Sequence, residues 1–277
     1  MNDLIPKLPL AKYIDELVVW LTINFEWFFD SITTILEGFV EGLVALLTFI
    51  PALLLIAMIG FLAWKVSKWR LTLFTVIGLL IIYNLGYWVE MIETLAIVLT
   101  AVFISIIIGI PLGIWASQKK VVKQIVTPIL DFMQTMPAFV YLIPAIFFFN
   151  IGVVPGVVSS VIFSMPPTIR LTILGIQQVP SDIIEASEAF GSTTSQRLLK
   201  VQLPLAMPTI MAGINQSIML ALSMVVIASM VGAPGLGTEV YRAVTQIKTG
   251  IGFEAGLSIV IIAIVLDRIT QKIGTKK

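Results

Sequence analysis

The stretch Pro180-Ser181-Asp182-Ile183-Ile184-Glu185-Ala186-Ser187-Glu188-Ala189-Phe190-Gly191-Ser192-Thr193-Thr194-Ser195-Gln196-Arg197-Leu198-Leu199-Lys200-Val201-Gln202-Leu203-Pro204 is the long polar interruption of an otherwise apolar chain. It fills a connection over residues 176–207 that is bounded by prolines. Pro180-Ser181-Asp182 reads as a turn and helix start, with Ser181 at the N-cap position, where a hydroxyl can accept from an orphan backbone N–H. That helix is expected to end near Gly191. A second, over 194–202, is expected to stop before Pro204, because proline disfavours helix in the residue preceding it. Two short helices around a glycine elbow make a compact polar protrusion.

On either side the chain changes character. Of its 277 residues 58% are hydrophobic and 12% charged, and the mean hydropathy is +1.04. A soluble domain carries ~25% charged residues. Half that charge cannot cover a soluble surface of this size, which excludes a cytosolic enzyme, a disordered chain and a nucleic-acid binder. At ~20 residues per span, the apolar content allows at most about eight helices. The fold class is all-α, a polytopic membrane protein. Continuous apolar runs predict seven spans, near residues 43–64, 71–89, 94–116, 128–150, 155–175, 208–231 and 254–269. Ahead of them, residues 13–40 place Ile14, Leu17, Val18, Leu21, Phe25 and Phe28 on one face and Asp15, Thr22, Glu26, Asp30, Thr33 and Glu37 on the other. That pattern predicts an amphipathic helix lying in the membrane interface or packed on the bundle edge. The organisation expected is an extracytoplasmic or interfacial segment over 1–42, two accessory helices over 43–89 and a core over 90–277.

Basic residues set the orientation. Lys65, Lys68 and Arg70 follow the first span, Lys119, Lys120 and Lys123 the third, and Arg197 and Lys200 the fifth. Lys272, Lys276 and Lys277 end the chain, and Arg170 and Arg268 lie near span ends on the same side. Most of the 17 basic residues thus fall on one side, against Lys7, Lys12, Arg242 and Lys248 on the other. The positive-inside rule then puts the C-terminus in the cytoplasm and the N-terminus outside, and the polar loop over 176–207 is cytoplasmic. Residues 1–30 carry Asp3, Asp15, Glu16, Glu26 and Asp30, with no basic stretch feeding an apolar core, so they do not read as a signal peptide.

Cysteine and histidine are both absent. This removes disulfides, thiol chemistry, His or Cys metal sites and His-based triads, so no catalytic and no metal-binding residues are assigned. It also removes the commonest residue of intramembrane proton relays. A secondary transporter would need ionisable groups at depth and often shows inverted repeats; neither is visible. An intramembrane enzyme would need a nucleophile–base spacing that the chain lacks.

Within the opening stretch, Glu185-Ala186-Ser187, Gly191 and Val201-Gln202-Leu203-Pro204 resemble the EAA coupling loop of ABC importer permeases. Every spacing matches, with Ser187 and Val201 departing conservatively. The resemblance implies that Glu185, Ala186, Ser187, Gly191, Val201, Leu203 and Pro204 dock in a groove of a cytoplasmic ATPase subunit. Further strings sharpen it. Residues 130–144 (Leu130-Asp131-Phe132-Met133-Gln134-Thr135-Met136-Pro137-Ala138 onward), Met165-Pro166-Pro167-Thr168-Ile169-Arg170, Met207-Pro208-Thr209-Ile210 and Gly232-Ala233-Pro234-Gly235-Leu236-Gly237 are similar to the glycine betaine/proline betaine subgroup of type I importers, typified by OpuA and ProU. The similarity covers about residues 90–271. It implies a five-helix MetI-like core, import of a quaternary-ammonium compatible solute for osmoprotection, and a bacterial cell-membrane location. It also implies a homodimer of permease subunits, a separate ATPase that carries ATP and Mg, and a separate extracytoplasmic binding protein. Choline, carnitine, proline or another small solute are alternative cargoes for the same machinery. The chain contains no Gly-rich Walker sequence and no binding-protein domain, so it is expected to bind no cofactor, to be no enzyme itself, and to work with these partners and with membrane lipids.

Other residues carry two readings. Met133, Gln134 and Met136 in the fourth span, and Asn215, Gln216, Met219 and Ser223 in the sixth, line a pathway or serve interhelical packing and hydrogen bonding. Gly235 and Gly237 read as a tight turn, while the resemblance implies that this region, with Tyr241 and Arg242, contacts the binding protein. Pro111, Pro137, Pro144, Pro166 and Pro167 kink spans or hinge a gate. Asp131, Arg170, Asp267 and Arg268 snorkel, pair or latch a gate, Asp131 with Arg170 by depth.

Overall fold

The computed structural model describes residues 9–67 and 69–275, with side chains to residue 272. Asp3, Lys7, Lys68, Lys276 and Lys277, used above for orientation, lie outside the described residues. Every element among the described residues is helical.

Helix α1 (Leu10–Asn24) buries none of its residues and kinks into α2 (Glu26–Phe49) at Phe25, whose ring meets Trp20 edge-on at 5.9 Å. α2 departs from the sequence expectation. One helix of 24 residues, long and apolar enough to cross a membrane, replaces the in-plane helix expected over 13–40 and the start of the span expected over 43–64. The hydroxyls of Ser31, Thr33 and Thr34 donate to the carbonyls of Trp27, Phe29 and Asp30 at 2.7–2.9 Å. They turn inward on their own helix, so its polar face is less polar than the residue types imply. The helix stops ahead of Pro51, which splits the expected first span. α3 (Ala52–Ser67) and α4 (Trp69–Asn84) then fold back on each other, with Gly60 against Val76.

The centre is built by α5 (Trp88–Gln118) and two later helices. α6 (Lys120–Thr135) and α7 (Ala138–Phe149) form one broken span, bent by 101°. α8 (Val153–Gln177) is the most buried helix. It leads to α9 (Ser181–Ala189), α10 (Thr194–Arg197), a π turn (Leu198–Gln202) and α11 (Leu203–Ser229). α12 (Leu236–Thr245) and α13 (Thr249–Thr275) close the chain. Among the described residues five helical stretches can cross a membrane, and the broken pair makes a sixth. α3 and α4, at 16 residues each, are shorter.

Small residues bring α5, α8 and α11 together. Gly109 and Gly113, four apart on α5, face Thr168, Ile169 and Thr172 of α8. A Cβ on Gly113 would sit 2.6 Å from that of Thr172. On α11, Gly213 lies against Leu171 and the Pro167 carbonyl. Hydroxyls fill the seam. Ser217 donates to the Ser164 carbonyl at 2.5 Å and lies 2.7 Å from the Thr168 hydroxyl, and Ser105 lies 3.4 Å from that of Ser164. Lipid tails are as apolar as leucine, so membrane helices associate by such close approach and hydrogen bonding rather than by burying oil. Pro166 and Pro167 stay within a continuous α8 beside these partners.

Pro137 acts differently. It has no N–H to offer the Met133 carbonyl, and the helix breaks there. The Tyr141 hydroxyl donates to that carbonyl instead, stapling the bend.

Candidate functional site

The loop that opened the sequence reading is a two-helix hairpin. α9 begins at Ser181 itself with Pro180 at the N-cap, so Ser181 is the first helical residue rather than the cap. The helix ends in a left-handed residue, Gly191 at φ +76°, whose N–H donates to Glu188 O at 2.8 Å while that of Ser192 reaches Ser187 O at 3.1 Å. α10 starts on a capping box. The Gln196 N–H donates to Thr193 Oγ1 at 3.3 Å, and the Thr193 N–H to Gln196 Oε1 at 3.0 Å. An Arg197–Glu188 ion pair ties the two helices together. Glu185, Ala186 and Gly191 are exposed and Ser187 is half-buried, its hydroxyl returned to Ile184 O. Phe190 stands at the tip, 93% exposed.

The second helix does not stop before Pro204. It runs through the π turn into α11, giving one helical path from Thr194 to Ser229. The Leu203 N–H reaches back to Leu198 O, one residue further than in an α-helix. The wider turn makes room for the proline ring that would otherwise meet a carbonyl of the preceding turn. Val201 and Leu203 are half-buried and Pro204 is exposed. Gln202 is buried and accepts from Gln118 Nε2, at the end of α5, at 3.5 Å.

The pathway candidates separate. Gln216, Met219 and Ser223 share an exposed face of α11. Asn215, expected beside them, turns to α13 instead. It donates to Asp267, and its Oδ1 accepts from Thr270 Oγ1 at 2.6 Å. A half-buried amide with both ends satisfied is a helix–helix connector, which the periodicity alone could not distinguish from a lining residue. Gln134 is exposed at the α6–α7 break, with Met133 and Met136 half-buried beside it.

At the opposite end of the molecule, Gly235 and Gly237 are buried. Gly235 adopts φ +114° against Thr94, whose hydroxyl accepts from the Leu236 N–H at 2.8 Å, and Gly237 packs on the Val225 carbonyl. They shape the turn and are not available for contact. Tyr241 and Arg242 are exposed, the latter paired with Glu239 at 2.9 Å. Nearby, the Tyr87 hydroxyl points at Glu254 at 3.5 Å. Burial, then the negative charges of Glu254, Glu239 and Glu90, hold the Tyr87 proton on above the usual tyrosine range.

Several contributors were invisible in the sequence. Thr94, Tyr141 and the Gln118–Gln202 contact each join segments far apart or across a break, and no local pattern marks them.

The protruding hairpin runs in helical continuity into a central helix of a bundle whose helices are long and apolar enough to cross a membrane. The chain belongs to the family described as binding-protein-dependent transport system inner membrane component, which matches residues 109–276. It is 68% identical over 275 residues to the glycine betaine transport system permease protein OpuAB of Bacillus subtilis, covering 99% of this chain and 98% of that one. It is 56% identical to the glycine betaine/carnitine transport permease protein GbuB of Listeria monocytogenes, covering 98% of each. To the glycine betaine/proline betaine permease ProW of Escherichia coli it is 48% identical, covering 96% of this chain and 75% of that one. A solved inward-facing structure of the MetNI methionine ABC transporter matches in fold with a TM-score of 0.61 and 23% identity, covering 66% of this chain and 91% of that one.

Proposed function

We propose that the chain is the membrane-spanning subunit of an ATP-driven importer of glycine betaine and related quaternary-ammonium solutes. The observation that carries this is the α9–α10 hairpin running without a break into α11. A partner that moves the hairpin moves the helix bearing Gln216, Met219 and Ser223. The names of the relatives supply the cargo class. The exposed Glu185, Ala186 and Phe190 present the hairpin to a cytoplasmic ATPase, which holds ATP and Mg; this chain binds no cofactor and hydrolyses nothing. Two copies face each other across one pathway, with the α11 faces toward it. A binding protein delivers the solute to the end bearing Tyr241 and Arg242, which is extracytoplasmic. The C-terminus lies in the cytoplasm, by the distribution of basic residues.

Reconstitution with the ATPase and binding protein tests this. ATP-dependent uptake of glycine betaine is expected. Uptake that persists without the ATPase, or that carries no quaternary-ammonium solute, overturns it.

A further inference from the structure

Asp131 lies on α6 one turn before the α6–α7 break and accepts from Nη2 of Arg170 on α8. Both side chains remain open to the same space, Arg170 36% and Asp131 58% exposed. Exposed Gln134 and Thr135 follow on the same helix, up to the break. Charges and amides facing hydrocarbon are costly, so this polar stretch faces water or polar groups rather than lipid tails. One donor is held in reserve. Arg170 Nε is buried and has no hydrogen-bond partner among the described residues.

We propose that the Asp131–Arg170 pair is a zwitterion-selective subsite of the translocation pathway: the cargo's carboxylate takes Arg170 and its quaternary ammonium takes Asp131. This rests on the function proposed above and names how the permease itself recognises that cargo. Charge balance decides which cargo fits. The closed pair is neutral. A simple cation such as choline can replace Arg170 at Asp131, but it strands the guanidinium. A simple anion strands the carboxylate. Glycine betaine carries both charges one methylene apart, so it can part the two side chains and leave neither alone. The spare Nε fits this reading. A guanidinium engages a carboxylate through two parallel N–H groups; Arg170 uses one nitrogen on Asp131, and the enclosed Nε becomes available only as the side chain swings out with the solute. Parting the pair removes one tie between α6 and α8 beside the 101° bend, while the Lys123–Gln177 hydrogen bond and the packing of Val126 and Leu130 on Ile169 and Ile173 remain.

The test uses the permease–ATPase complex without binding protein, and saturation-transfer NMR on the solute methyl protons. Glycine betaine at millimolar concentration is expected to give a signal that choline does not, and Arg170→Gln and Asp131→Asn are expected to abolish it. In the complete reconstituted system both variants are expected to lower glycine betaine uptake about tenfold or more, the loss of one charge-assisted hydrogen bond from Arg170 or one charge contact from Asp131 to the solute, with unchanged co-purification of the ATPase. Asp131→Glu, which keeps the charge, is expected to retain both signal and uptake. An equal choline signal, a signal that survives Arg170→Gln, or variant uptake within about twofold of the parent overturns the proposal. If Arg170→Gln does not reach the membrane, the choline comparison on the parent protein still decides it. Failure of the parent system to import any betaine would instead overturn the function itself.

Discussion

Tyr141 shows how one hydroxyl can decide a helix. The Met133 carbonyl loses its donor to Pro137 and recovers one from Tyr141. Tyr141→Phe leaves that carbonyl unpaired, which costs about 1–3 kcal/mol; thermal unfolding in detergent is expected to fall by several degrees. Gly113 is limited by space. Gly113→Val places a branched side chain where Thr172 already stands, and overpacking of this kind costs about 1–3 kcal/mol. Gly191 is limited by backbone alone. Nothing lies within 4 Å of a Cβ there, but φ is +76°. Gly191→Trp is expected to leave the permease inserted while the ATPase no longer co-purifies. Tyr87 sets an alkaline limit. The folded chain holds this proton more tightly than the unfolded one, whose tyrosine titrates near 10.0. The stabilisation is complete below that pH and is lost as pH rises beyond it. Tyr87→Phe is expected to flatten the decline of melting temperature above pH 10.

At the scale of elements, the hairpin works as a lever only if its two helices move together. The Arg197–Glu188 pair is the cross-link, with the Arg197 side chain 19% exposed. Arg197→Ala is expected to lower solute imported per ATP hydrolysed while hydrolysis continues; an unchanged ratio would show that the capping box and Gly191 turn suffice. The two helices and the Gly191 elbow of this hairpin were legible from local chemistry, but Ser181 is the first helical residue rather than the cap and the second helix runs on past Pro204. The prolines were not. Pro111, Pro166, Pro167 and Pro208 sit inside continuous helices, yet Pro137 breaks one. What differs is the company each proline keeps, Ser and Thr hydroxyls around α8 and a tyrosine staple at the α6 break. The extent of α2 was misread for a related reason. Its threonines count as polar in a periodicity but bond within their own helix. Asn215 and Gln216 are neighbours of the same type, and only the position of α13 separates connector from exposed face.

The whole molecule presents two kinds of exposed apolar surface, one proposed to face the pathway and the other lipid. The absence of native cysteine lets single cysteines report on this without background. Met219 and Leu73 are comparably exposed in the isolated chain, at 42% and 51%. In the assembled transporter, Met219→Cys is expected to react with a water-soluble thiol reagent and Leu73→Cys to resist it. An unreactive Met219→Cys would move α11 away from the pathway. The α3–α4 hairpin carries a separate consequence. Sixteen helical residues reach about 24 Å, whereas a bilayer's hydrocarbon layer is about 30 Å thick. The membrane must pinch or the hairpin must sink on that flank, at a fraction of a kcal/mol for each ångström of mismatch. One side of the bundle therefore carries an elastic load set by lipid chain length, so bilayer thickness itself becomes a variable in how firmly this transporter is held.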